Sequence, residues 1–327
     1  MPVSLRRGTV TAVVEQHEGL IRLEVDGSPC VAYPRLTGPV ELGDDVLVNV
    51  QARELGLGSG GFDVLYANLT RGLDLDPDQG AHVMALPYTP LQHAVVHAEE
   101  GGALVPSLDG TPVVCCSLHS QLAPVCAGIG QAPGVAYVQL AGGALPVALS
   151  DSLRILRDAS LIDVAVAASP CYDAEVQCAN AASALAWAAT RGYDAIVCAV
   201  GPGIVGTGSD LGHGALSAAD AANAASALGG APVIAVRYSE ADERERHRGV
   251  SHHTRAVIEL CLGDPVVAWP AGLAAPAWLE HEEIDVDDWR EACERLPLEH
   301  MGRGAAEDPW FFAAAFAAGR LARRLIG

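Results

Sequence analysis

Ala195-Ile196-Val197-Cys198-Ala199-Val200-Gly201-Pro202-Gly203-Ile204-Val205-Gly206 is the stretch on which the fold turns. Six apolar residues without polar alternation suit a strand covered on both faces, and the glycine-rich turn behind them leads toward a helical segment. The same unit recurs in both directions along the chain. Val113–Cys116, Val135–Leu140, Asp163–Ala168, Val233–Tyr238 and Pro265–Trp269 are short continuous apolar runs. Helix-like, Ala-rich segments near 118–130, 147–159, 174–190, 213–228 and 251–262 separate them. This alternation predicts an α/β fold, a mostly parallel, Rossmann-like doubly wound sheet. Asp308 reads as the N-cap of a further helix, with Pro309 at its first position and Phe311, Phe312 and Phe316 along it.

Residues 1–72 carry a different pattern. Gly8–Glu15, Leu20–Val25 and Cys30–Tyr33 are short β-branched runs, and Asp26-Gly27 between the last two is a hairpin signal. Glu41–Asn49 adds a turn and a strand of the kind found in SH3-like or OB-like barrels. The expected organisation is a small β-barrel-like module over 1–72 and an α/β domain over 73–327. Such a barrel does not by itself imply a function.

Composition narrows the chemistry. The chain of 327 residues has a formal net charge of -20, with half its residues hydrophobic, which fits a globular protein and disfavours nucleic acid or an anionic membrane as partner. All 20 basic residues are arginine. Without lysine there is no Schiff-base lysine, no pyridoxal-phosphate anchor and no P-loop lysine. Any bound anion must be held by arginine, histidine, backbone N–H or a metal. Nine cysteines lie scattered with no CxxC, most of them inside apolar runs, as in small buried hydrophobes of a reducing compartment. No signal-peptide h-region or membrane-length apolar run is visible, so the expected location is cytoplasmic. Residues 280–288 form an acidic run, read as a solvated linker or helix face.

Open parallel sheets bind ligands beyond the carboxyl ends of their strands. Ser117-Leu118-His119-Ser120 follows the first predicted strand, Ala141-Gly142-Gly143-Ala144 the second, and Ser169-Pro170-Cys171-Tyr172-Asp173 the third. Gly201 through Asp210, which includes Gly203, Gly206, Thr207 and Gly208, follows the fourth. GxGxxG at Gly201–Gly206 lacks the acidic residue about 20 positions on that a dinucleotide fingerprint wants. The next strand ends more than thirty residues later, at Ser239-Glu240. A backbone cradle for phosphate or carboxylate and a tight, close-packed turn remain the two readings of this loop.

The fifth strand leads to Arg244-Glu245-Arg246-His247-Arg248-Gly249-Val250-Ser251-His252-His253-Thr254-Arg255, four arginines and three histidines in twelve residues. Cationic density of this kind in an acidic chain marks a bound anion or a buried carboxylate. Ser251 reads as N-cap of a helix through Leu262, aiming backbone N–H groups at whatever the loop holds. His252 and His253 are adjacent, so one is expected to face a ligand and the other to pack. Arg303, flanked by Gly302 and Gly304, can reach the same pocket or form a surface turn. His93 and His97 are spaced i, i+4 on an expected helix face. Cys171 is read as a buried inert thiol sooner than a nucleophile, and the absence of GxSxG disfavours a nucleophile-elbow hydrolase.

Several segments resemble an uncharacterised bacterial family classed as a domain of unknown function: Leu55–Phe62, Ala67–Thr70, Tyr88–Leu91, Leu118–Ser120, Gly143–Pro146, Gly201–Gly208, Arg244–Thr254 and Met301–Asp308. They span nearly the whole chain, and the resemblance implies membership without an activity. One departure stands out. The family pattern implies a Gly-His-Ala-Phe-Gly-Gly-Asp-like stretch after the third strand, where this chain has Ser169 to Glu175. If that histidine and acid do chemistry in relatives, this member is altered.

Three functional readings follow. The first is a hydrolase or transferase for a small anionic metabolite, phosphorylated ones included. In it Arg244, Arg246, Arg248, Arg303, Ser117, Ser251, Gly142, Gly143 and the Gly201–Gly208 loop bind, and His119, His247 or His252 does acid/base work or holds a metal. The second is a non-catalytic ligand-binding or regulatory protein. The third is a structural hub whose arginines pair with buried carboxylates such as Asp173 or Asp210. A nucleotide-cofactor oxidoreductase ranks below these. No cofactor follows from the sequence, and a homo-oligomer stays open.

Overall fold

The computed structural model describes residues 2–56, 61–105 and 107–326. Two compact units divide the chain, Met1–Val96 and His97–Gly327. In the first, strands β1 (Leu5–His17), β2 (Leu20–Val25), β3 (Ser28–Ala32), β4 (Asp45–Asn49) and β5 (Asp63–Asn68) close into a barrel of order β1-β2-β3-β5-β4. β3 and β5 run parallel while the other ladders are antiparallel, and β1 closes the barrel on β4. That connectivity is of the OB type, which resolves the SH3-or-OB ambiguity of the sequence. Asp26 and Gly27 both have positive φ, 49° and 75°, as the two-residue turn between β2 and β3 demands. Alternate side chains, among them Val10, Leu23, Val46 and Leu65, fill the interior. Asp44, almost wholly buried, accepts a forked pair of bonds from Arg71 at 2.7–2.9 Å. Part of the Leu55–Phe62 segment, residues 57–60, lies outside the described residues.

His93 and His97 do not share a helix face. His93 opens a strand, His93–Val95, paired with Val83–Ala85, and His97 precedes a short 3-10 turn at Ala98–Gly101. Pro87, Pro90 and the β-branched pair Val95-Val96 oppose a helix there.

The second unit is an eight-stranded sheet in which every ladder is parallel. Its strands are β6 (Pro112–Cys116), β7 (Val135–Leu140), β8 (Val164–Ala168), β9 (Val176–Cys178), β10 (Ala195–Val200), β11 (Ala231–Ala235), β12 (Val266–Pro270) and β13 (Glu282–Ile284). Their order is β9-β8-β7-β10-β6-β11-β12-β13. The chain starts at β6, steps over to β7 and winds outward to β9. It then returns to insert β10 between β7 and β6, and leaves on the other side. β10 is the switch point, and the crevice at its carboxyl end is where such sheets bind ligands.

Strand residues alternate between two cores. Val114, Cys116, Tyr137 and Val197 pack with helices α1 (Leu122–Ile129), α2 (Asp151–Asp158) and α6 (Pro309–Ile326). Val113, Cys115, Val138 and Ile196 pack with α3 (Ala181–Thr190), α4 (Ser217–Ala227) and α5 (His252–Leu260). α1 and α6 touch backbone to backbone. A Cβ on Gly319 would sit 2.0 Å from the Val125 carbonyl oxygen, and one on Gly128 2.5 Å from that of Phe316.

Some boundaries moved for identifiable reasons. α1 starts only at Leu122 because His119–Gln121 winds as a 3-10 turn. α3 starts at Ala181 because Val176–Cys178 adds the edge strand β9 and Asn180 then caps the helix, accepting from Ser183 N at 3.0 Å. The acidic run is neither linker nor helix face: Glu282–Ile284 forms β13, drawn in by buried Ile284 and Val286. Among the described residues, no helix is long and apolar enough to cross a membrane.

Candidate functional site

The loops after β10 and β11 meet at the switch point. His213 ends the first and starts the turn into α4, while Arg237, Asp242, Arg244, His247, Ser251, His252 and His253 belong to the second. Close backbone approach seats the first loop. A Cβ on Gly142 would fall 2.4 Å from the Gly214 oxygen, and one on Gly143 2.1 Å from the Gly201 oxygen. The loop after β7 thus crosses the loop after β10 with no room for side chains. Packing alone accounts for Gly142, Gly143 and Gly201. Gly203 has φ 67°, Gly206 bridges to His213, and Thr207 donates to the Gly212 carbonyl at 3.0 Å, so this loop is folded upon itself.

Arg237 sits at the floor, 2% exposed. Its Nη1 donates to His253 Nδ1 at 3.1 Å and its Nη2 lies 3.5 Å from Asp242 Oδ2. Burial, with the neighbouring Arg244 charge, brings the guanidinium down to about 10. Asp242 is equally buried and accepts from Arg244 N at 3.0 Å, Arg244 Nε at 2.9 Å, Arg244 Nη2 at 2.8 Å and Arg303 Nη2 at 3.3 Å. Burial alone would raise its carboxyl, but these bonds and the Arg244 and Arg237 charges outweigh that and hold it well below the usual carboxylate range. Asp308, just before α6, accepts from Ser239 Oγ at 2.5 Å and Arg303 Nε at 3.2 Å. Arg244 and Arg303 therefore serve buried carboxylates. The carboxylates are Asp242 and Asp308, not Asp173 or Asp210.

Arg246 and Arg248 differ. Both are exposed, and neither has an ion-pair partner among the described residues. The Arg246 charge is felt at His252.

Four histidines pack together above Arg237. His213 and His253 stack with ring centroids 3.9 Å apart, and His252 meets His213 edge-on at 5.3 Å. His247 lies 4.8 Å from His252 and 4.9 Å from His253. Ser251 caps α5 by accepting from His253 N at 3.2 Å, and its hydroxyl bonds His247 Nδ1 at 2.7 Å. Burial, reinforced by Arg237, lowers His253 to about 2 and His247 to about 3; burial also lowers His213 and His252. All four rings are neutral at pH 7. His252 and His253 face one cluster together, contrary to the expectation from their adjacency. At the first turn of α5 both rings can lean forward onto His213, which arrives from another loop.

Other expected residues are engaged elsewhere. His119 Nδ1 lies 3.2 Å from the Val200 carbonyl and Nε2 2.6 Å from Ser150 Oγ. A carbonyl only accepts, so Nδ1 carries the proton and Nε2 accepts from the serine. Burial lowers this ring to about 4, and it ties the end of β10 to the cap of α2. Ser117 Oγ donates to Gln121 at 3.2 Å. The Ser169–Glu175 stretch contains Cys171, a buried thiol pushed up to about 12, and Glu175, which accepts from Ala165 N and pairs with Arg157. His300 joins from a two-stranded ribbon, stacked on Phe311 at 3.8 Å with its Nδ1 3.2 Å from Ser120 Oγ. Arg237, Asp242, His213 and His300 were not singled out in the sequence. The one available signal was a charged residue, Arg237, directly after the apolar run Val233–Val236.

Fold and site define a class: an α/β protein with a cluster of histidines and arginines at the carboxyl end of a parallel sheet, preceded in the chain by an OB-type barrel. The model of the DUF3866 family, described as a protein of unknown function, matches residues 29–319, and the chain belongs to that family. No curated protein matches the sequence.

Proposed function

We propose that this protein is a hydrolase or transferase acting on a small anionic metabolite, a phosphate ester in the first instance, at the carboxyl edge of β10 and β11. One observation carries the reading: Arg246 and Arg248 form no ion pair among the described residues, although Arg244 and Arg303 are engaged by Asp242 and Asp308. They are cations left for an external anion. His252, near Arg246 and with both ring nitrogens buried and without a hydrogen bond among the described residues, is the candidate acid/base group. Arg244 and Arg303 position the loop.

Calorimetric titration with phosphate, pyrophosphate, sugar phosphates and dicarboxylates tests this. Replacing Arg246 or Arg248 with alanine is expected to weaken the best ligand by about 10-fold or more, as for a charged hydrogen bond, without lowering Tm. Arg244→Ala, which strips a buried carboxylate, lowers Tm instead. Unchanged anion affinity in both Arg246→Ala and Arg248→Ala would sink the proposal and leave the loop as a structural hub.

A further inference from the structure

We infer that His213, His252 and His253 form a binding site for one divalent transition-metal ion of the zinc class. One ligand atom from each of these rings lies within 4.8 Å of the others. Tetrahedral zinc with Zn–N bonds of about 2.0–2.1 Å needs nitrogens about 3.3 Å apart. The rings therefore close by about 1.5 Å at most, and metal binding turns His213 and His253 out of their 22° stack so that both lone pairs meet one ion.

The state of each ring supports the assignment independently. His213 is 7% exposed, and its Nε2 lies 2.8 Å from the Asp210 carbonyl. That carbonyl can only accept, so the proton is on Nε2 and the Nδ1 lone pair is bare, buried and without a partner. A backbone carbonyl fixing the far nitrogen is the usual outer support of a metal-bound histidine. His252 has two buried nitrogens without partners, again a lone pair with nothing to accept from. An unpaired buried acceptor costs stability, and two of them within 4.8 Å of each other is a costly arrangement unless something fills the space between. Imidazole donors without thiolate select zinc, copper, nickel or cobalt over magnesium or calcium.

His253 must give something up. Arg237 Nη1 donates to its Nδ1, and on metal binding the guanidinium turns wholly to Asp242 Oδ2, already 3.5 Å from Nη2. Asp242 thereby keeps a cation from sitting uncompensated beside the metal. Asp210 Oδ1, 3.9 Å from His252 Nδ1 and exposed, is within reach as a fourth ligand. Without it, the fourth position is open to water or to an anion. The metal lies beside the arginines of the anion reading and does not depend on it; with metal bound, His252 is a ligand, and the acid/base role given to it above applies to the metal-free protein.

The test uses the full-length protein, stripped with chelator and titrated with Co²⁺ alone, followed by its visible ligand-field bands and by native mass spectrometry. One Co²⁺ per chain is expected, displaced by Zn²⁺. His252→Ala removes no protein hydrogen bond, so it keeps the fold by circular dichroism, and it is expected to lose about 100-fold or more in affinity, at least the penalty of disturbing an outer-shell partner. His213→Ala loses as much, while Arg246→Ala keeps metal and loses only anion. No stoichiometric uptake, or uptake unchanged in both His213→Ala and His252→Ala, overturns the inference. Metal uptake with no anion binding would overturn the substrate proposal alone.

Discussion

Arg237 and His119 show how one buried side chain can join separate parts of the fold. Arg237 links Asp242 to His253, adding its charge to the burial that lowers the histidines, and His119 joins β10 to α2. His119 also sets an acid limit. Its folded value of about 4 lies below the ordinary 6.5, so the unfolded chain takes up the proton first. Its contribution is whole above pH 6.5 and is lost as pH falls toward 4, up to ~3 kcal/mol at ~1.4 kcal/mol per unit. His119→Asn, whose amide can donate to the Val200 carbonyl, is expected to flatten that loss in urea titrations at pH 7 and pH 4.5. An equal loss in both proteins would contradict it. At this scale the sequence was least legible. Arg244 and Arg303 stood out, but Asp242 did not, although it lies only two residues before Arg244, because its burial and its bond to Arg303, 61 residues away, are set by tertiary contact. His213 and His253 lie forty residues apart and stack only once two loops converge.

At the scale of elements the sequence was far more legible. Continuous apolar runs such as Ala195–Val200 and Val135–Leu140 became strands with the same bounds, because burial on both faces leaves no polar position to blur them. Helix starts were less so: His119–Gln121 and Val176–Cys178 took other conformations before their helices began. The crossing of α1 and α6 rests on Gly128 and Gly319. Gly319→Ala places a methyl against the Val125 carbonyl and is expected to cost about 1–3 kcal/mol as overpacking, lowering Tm by roughly 2–12 °C for a unit of this size. Calorimetry checks this. An unchanged Tm would mean the helices part without cost.

The molecule as a whole consists of two units with separate cores. Every buried residue of the barrel core falls between Val10 and Leu65, and those of the sheet cores begin at Leu108. We place the division at the 96/97 boundary. A fragment beginning at His97 is expected to unfold cooperatively and to keep near-ultraviolet dichroism from Trp187, Trp269 and Trp289. A molten fragment would show that the barrel is needed for folding.

The bond from Ser239 to Asp308 spans 69 residues. Translation runs toward the carboxyl terminus, so every histidine of the cluster is made before Asp308 exists. Asp308 is the fifty-fifth residue added after His253, and at roughly 5–20 residues per second the ribosome takes about 3–11 s to reach it. During that interval Ser239 has no Asp308 to bind, and the loop must find its shape on the nascent chain with one of its two acidic anchors still to be synthesised.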